Sequence, residues 1–138
     1  MYIYTLVGDV YKVVEKLRIQ HGEFTLAMLY NSALDVPSNW NLIVSSDWTD
    51  RLGIGEATRL IAHELHLSLG LENRVAISRV TVLKTIDRFV QDMTHFYSSV
   101  SRRGGDPITQ LTAGGVTGAG FLFYSQPQIP AKVERCRP

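Results

Sequence analysis

Residues 24–46 read FTLAMLYNSALDVPSNWNLIVSS, two apolar runs held apart by a short polar link. FTLAMLY and NLIVSS each carry the β-branched, aromatic and aliphatic content of a strand. The link Leu34-Asp35-Val36-Pro37-Ser38 has turn chemistry but is too long for a two-residue hairpin loop. Asn31-Ser32 closes the first run, and Asn39-Trp40-Asn41 opens the second. A chain with two such neighbouring strands must find helices or further strands to cover them.

The rest of the sequence supplies both. Val10, Val13, Val14 and Leu17 recur at i, i+3, i+4, i+7, which predicts a helix over 10–20 with Asp9 as its N-cap and Gly22 as its stop. A second helix is expected over 56–69, ended by Gly70. Residues 75–83 read as a strand rich in β-branched side chains. Asp87 caps a third expected helix over 88–101, with Phe89, Val90, Met93, Phe96, Tyr97 and Val100 on one face. Two late strands, 108–113 and 116–125, meet at Gly114-Gly115. The last of these, with Phe121 and Phe123 on one face and Leu122 and Tyr124 on the other, is apolar on both sides, so it is buried on both or covered by a partner. The order α-β-β-α-β-α-β-β predicts an α+β fold, a mixed or antiparallel sheet of about five strands with three helices. Residues 1–125 form one domain and 126–138 a surface or disordered tail.

Composition narrows the function classes. The net charge is +1, so no overall field draws the chain to nucleic acid or to a membrane surface. Arg102-Arg103, with Lys84, Arg88 and Arg79 upstream, forms at most a local anion patch without interleaved aromatics. The single cysteine, Cys136, makes neither an internal disulfide nor a thiolate zinc site, and a reducing, cytoplasmic location is expected. The N-terminus lacks the pattern of a signal peptide, and no apolar run has the length of a membrane span.

Four short constellations bear on chemistry. His63-Glu64-Leu65-His66 approaches a zinc-protease signature, but its histidines stand at i and i+3 instead of i and i+4, so no metal is expected there. Glu64 falls within the apolar arc of its helix. It is either a boundary residue paired with an arginine or a functional acid with a raised pKa. Asp47-Trp48-Thr49-Asp50 follows the second strand; its two acids suit helix capping or a hard cation. Trp40 and Trp48 suit packing at the edge of a core or, at a pocket mouth, stacking on a planar ligand. Gly114 to Gly120, GGVTGAG, has the glycines of a phosphate loop but leads into a strand instead of a helix, so a turn and bulge are expected. No serine or cysteine stands in a nucleophile elbow.

The segment LAMLYNSALDVPSNWNLIV resembles the core of the nucleotidyltransferase superfamily in its minimal, kanamycin-nucleotidyltransferase-like form, over roughly residues 10–84. The resemblance implies a strand ending in Gly-Ser, an Asp-x-Asp pair opening the next strand, a third acid on a later one, and two magnesium ions clamping a triphosphate. Asn31-Ser32 and Asn39-x-Asn41 stand at the matching positions, and the third acid would fall near Arg79 or Thr81. Neutral amides do not hold Mg²⁺ against its hydration shell. The expectation is therefore a non-catalytic domain without a cofactor, acting through a protein partner or self-association. The alternative is a small metal- or nucleotide-dependent enzyme using Asp47, Asp50 and Glu64.

Overall fold

In a computed structural model the described residues are 2–31, 40–97, 99–100, 106–113 and 116–126. They form an α+β fold in the order α1 (Tyr2–His21), β1 (Leu26–Asn31), β2 (Trp40–Ser45), α2 (Asp47–Leu52), α3 (Ile54–Ser68), α4 (Leu71–Ala76), β3 (Ile77–Val82), α5 (Arg88–Phe96), β4 (Ser99–Val100), β5 (Asp106–Ala113) and β6 (Val116–Ser125). The expected order survives, with two short helices and one short strand added. The tail from residue 127, Cys136 and the pair Arg102-Arg103 lie outside the described residues.

The sheet runs β3-β2-β1-β6-β4, with β5 also paired to β6. β1 is antiparallel to β2, with Met28 opposite Ile43, and antiparallel to β6. β2 and β3 are parallel, with Val44 opposite Val82. β4 and β5 lie along β6 on the side away from β1. β6 is therefore an inner strand, and its apolar faces are covered from within the chain.

Alternation sorts the apolar side chains into two layers. Ala27, Leu29, Leu42, Val44 and Phe123 face α1 and α3, where Leu6, Val10, Val14, Leu17, Ala57, Ile61 and Leu65 meet them. Leu26, Met28, Ile43 and Leu122 face Phe89, Val90 and Met93 of α5. Each fully buried Val, Leu, Ile, Met or Phe among them contributes roughly 1.5–3 kcal/mol. The alternation expected for β6 breaks at Phe123. Ala27 faces Tyr124 but Met28 faces Leu122, so Phe123 is the extra residue of a bulge. Tyr124 therefore joins Phe123 in the α1–α3 layer and does not share a face with Leu122.

Several boundaries move. Helix α1 begins well before Val10 because Leu6 and Val7 continue its buried stripe. Asp9 consequently lies inside the helix and is not its cap; it accepts a hydrogen bond from Asn73 Nδ2 at 2.8 Å. Gly22 does stop the helix: its N–H donates to the Arg18 carbonyl at 2.9 Å, with φ at +136°, where other residues are strained. Helix α3 spans Ile54–Ser68, and Gly70 is the N-cap of α4. Val75 belongs to α4, so β3 starts only at Ile77. Asp87 caps α5 as expected, accepting from Phe89 N at 2.8 Å, but the helix ends at Phe96. The glycine-bearing stretch 116–120 is strand, with Gly118 opposite Leu111. Among the described residues no helix is long and apolar enough to cross a membrane.

Candidate functional site

The strand ends at β1 and β2 carry the asparagines. Tyr30 stands opposite Asn41 and packs in the α5 layer with Ile43, so Asn41 projects to that same face. Asn31 is one residue further, fully buried, and projects to the α1–α3 side with Leu29. Asn31 and Asn41 therefore do not share a face. Ser32 and Asn39 lie outside the described residues.

Asn41 is half-buried, and its Oδ1 accepts a hydrogen bond from Thr81 Oγ1 at 3.0 Å. The parallel register that places Thr81 opposite Ile43 brings this hydroxyl within reach. Arg79 lies opposite Asn41 and is exposed. The pair is neutral, and the amide oxygen and the hydroxyl proton satisfy each other. Nothing in it attracts a cation as a carboxylate would.

Two of the three candidate acids, Asp50 and Glu64, are tied into separate contacts. Asp47 opens α2 and is exposed, but neither it nor Asp50 is the cap. Ser46 is: its Oγ accepts from Thr49 N at 3.0 Å, while Thr49 Oγ1 accepts from Ser46 N at 3.0 Å, a capping box with threonine in place of the usual glutamate. Asp50 accepts from Thr85 Oγ1 at 2.6 Å and from Thr85 N at 3.3 Å, and so fastens α2 to the turn after β3. Glu64 on α3 bonds Lys16 Nζ of α1 at 2.6 Å and Ser68 Oγ at 3.1 Å. The bond from Lys16 holds the Glu64 carboxyl below the usual carboxylate range, although burial opposes it. This overturns both the arginine partner and the raised pKa expected for Glu64. Among the described residues no three histidine, cysteine, aspartate or glutamate side chains come together to hold a metal ion.

Both tryptophans pack. Trp48 sits edge-on to Phe24 at 5.6 Å, stacks on His21 at 4.7 Å, and donates Nε1–H to the Gly22 carbonyl at 3.1 Å. Trp40 meets Phe121 at 5.9 Å. Neither is left open for a planar ligand.

One groove was not foreseen. It encloses about 320 Å³ between α3, α4 and the sheet edge at β3. Leu65 and Leu69 form one wall, and four consecutive residues, Ile77, Ser78, Arg79 and Val80, form the other. His66 and Arg74 add polar groups, Arg74 Nη1 lying 2.9 Å from His66 Nδ1. His66 faces Arg74, while His63 is exposed on α3. Arg74 carried no sequence signal; Arg79, an arginine in the middle of a strand, was the available hint of an edge. No family model, curated protein or solved structure matches the chain.

Proposed function

We propose that this chain is a non-catalytic domain that acts by binding protein, built on a degenerate nucleotidyltransferase-like arrangement. The observation that carries this reading is the Thr81–Asn41 hydrogen bond. It joins two of the positions at which the resemblance calls for metal-binding acids, and it is neutral. The antiparallel pairing of β1 with β2 is compatible with the resemblance, which calls for antiparallel or mixed pairing of these two runs. The remaining candidate acids support the reading too, since Asp50 and Glu64 are engaged in holding α2 and α3 in place.

An interaction role is further supported by apolar side chains exposed on neighbouring elements. Leu67, Leu71 and Val75 are 64%, 70% and 62% exposed along α3 and α4. Single exposed apolar residues are ordinary, but three within nine positions beside a groove suit a contact surface. A reducing, cytoplasmic setting fits the single cysteine.

Calorimetric titration of the purified chain with Mg²⁺ and ATP is the test. No heat of binding is expected with the pair together or with either alone. Saturable, metal-dependent nucleotide binding would overturn the proposal. Light scattering after size exclusion separates self-association from a requirement for a different partner.

A further inference from the structure

The geometry points to the outer edge of β3 as a docking site for an acidic segment of another protein, bound as an added strand in the groove beneath α3. This inference rests on the reading of the chain as an interaction domain and names the partner's chemistry.

The edge is open. Among the described residues β3 pairs only with β2. The Leu83 N–H donates to the Val44 carbonyl at 3.0 Å, so Leu83 turns its backbone polar groups inward. By alternation Thr81 also turns inward, and Val80 and Val82 turn their N–H and C=O groups outward. These outward groups are a template for a further strand.

The groove follows that edge. A pocket lying over one face of a strand is lined by every second residue, because side chains alternate. This one is lined by Ile77, Ser78, Arg79 and Val80 in succession, so it runs along the side of the strand. Its far wall, Leu65 and Leu69, is apolar and suits the inward side chains of an incoming strand.

Charge selects the occupant. Arg74 and Arg79 both line the groove, and no acid does. Among the described residues neither arginine has a carboxylate partner, and Arg74 Nε is buried without an acceptor. A glutamate or aspartate on the incoming strand supplies the missing anion, and Arg can meet it with two donors. The same charges argue against a second copy of this chain pairing through its own β3, since that would bring arginine against arginine.

The test uses fluorescence anisotropy with labelled, end-blocked peptides of about eight residues, near physiological salt. One alternates valine with glutamate and another valine with lysine. Saturable binding of the glutamate peptide alone is expected. The double substitution Arg74→Glu, Arg79→Glu, checked for folding by circular dichroism, should weaken it at least about tenfold. Two N-methylated versions of the glutamate peptide, blocked at alternate sets of amides, leave the protein untouched; one set should abolish binding and the other should not. Absence of binding, equal binding of the lysine peptide, or indifference to both N-methylated sets overturns the inference. Mg²⁺ and ATP added to the same preparation separate the two levels. If neither peptide nor nucleotide binds, only the docking site falls. Metal-dependent nucleotide binding would remove the non-catalytic reading beneath it.

Discussion

Replacing Gly120 with alanine sets two opposing effects against each other, and the structure decides between them. Glycine in a strand loses more backbone freedom on folding than alanine, so the change gains about 0.4–1 kcal/mol where space permits. At Gly120 it does not. This residue sits in β6 opposite Tyr30 of β1 and Ile108 of β5. A Cβ there would overlap the Leu29 carbonyl oxygen and lie 3.1 Å from the Leu29 carbonyl carbon and 3.2 Å from Tyr30 Cα. All three atoms are backbone of an inner strand with neighbours on both sides, so none can swing away as a flexible side chain would. Carbon and oxygen sit comfortably at roughly 3.3–3.6 Å, so β6 must slide by on the order of an ångström. Losing two or three ladder hydrogen bonds, at about 1 kcal/mol net each, with overpacking strain of about 1–3 kcal/mol, outweighs the entropic gain. The expected net loss is about 2–5 kcal/mol, or a melting point lower by roughly 7–17 °C for a chain of this size. Urea unfolding followed by far-UV circular dichroism measures it. Gly55→Ala is the internal control, because beyond its own helical turn nothing lies within 4 Å of a Cβ built at that position. It should stabilise by about 0.5–1 kcal/mol. If Gly120→Ala came within about 0.5 kcal/mol of the parent, the close approach would be refuted, and the glycine would need another explanation.

Three further substitutions test the roles assigned to polar side chains. Thr49→Ala removes half of a buried capping box and should cost about 1–2 kcal/mol in the same unfolding assay. Asp50→Ala leaves the buried Thr85 hydroxyl and N–H without their acceptor and should cost about 1–3 kcal/mol; wild-type stability would show that the contact is incidental. Glu64→Gln reads out through pH. The Glu64 carboxyl is held low in the folded chain, so its stabilisation is present above the unfolded carboxylate value near about 4.3 and disappears as pH falls through the lower folded value. Because Lys16 is half exposed, the loss in Glu64→Gln at neutral pH should stay below about 1 kcal/mol and close in acid. A gap that widened on acidification would mean that Glu64 is raised, not lowered.

The parts of the fold that could be read from sequence are those in which local signals agree. FTLAMLY and WNLIVSS are uninterrupted apolar runs between turn residues, and α3 keeps a clear apolar stripe. The first turns of α1 were hidden because YIYTLV has no helical signature of its own, while Asp9 has the chemistry of a cap. The stripe continues only because Leu6 finds the sheet, which is a tertiary fact. The end of helix α4 reads as strand for a similar reason. Val75 in LENRVA favours a strand, and Asn73 reaches Asp9, 64 positions away in sequence. The bulge at Phe123 had no signal, because a single extra residue shows only in the register with β1. At the asparagines the loss of charge was visible in the sequence. The Thr81 hydroxyl that answers Asn41 required the parallel register of β2 and β3.

The placement of ion pairs gives the edge of β3 its meaning. Three arginines among the described residues have carboxylate partners. Arg18 holds Glu15 at 3.0 Å and Glu23 at 2.9 Å, tying the end of α1 to the segment that leads into β1. Those carboxylates raise the Arg18 guanidinium above its ordinary pKa. Glu56 and Asp92 are likewise matched to Arg59 and Arg88. Exposed pairs contribute only about 0–1 kcal/mol each, so they decide local geometry more than stability. Arg74 and Arg79 differ from these three: they line one groove, beside outward backbone amides, with no acid among its walls. Burying the Arg74 Nε–H without an acceptor opposes folding, since a lone donor out of water is unfavourable by about 1–3 kcal/mol. That penalty is relieved when a carboxylate arrives, so the same atom that weakens the free chain strengthens the complex.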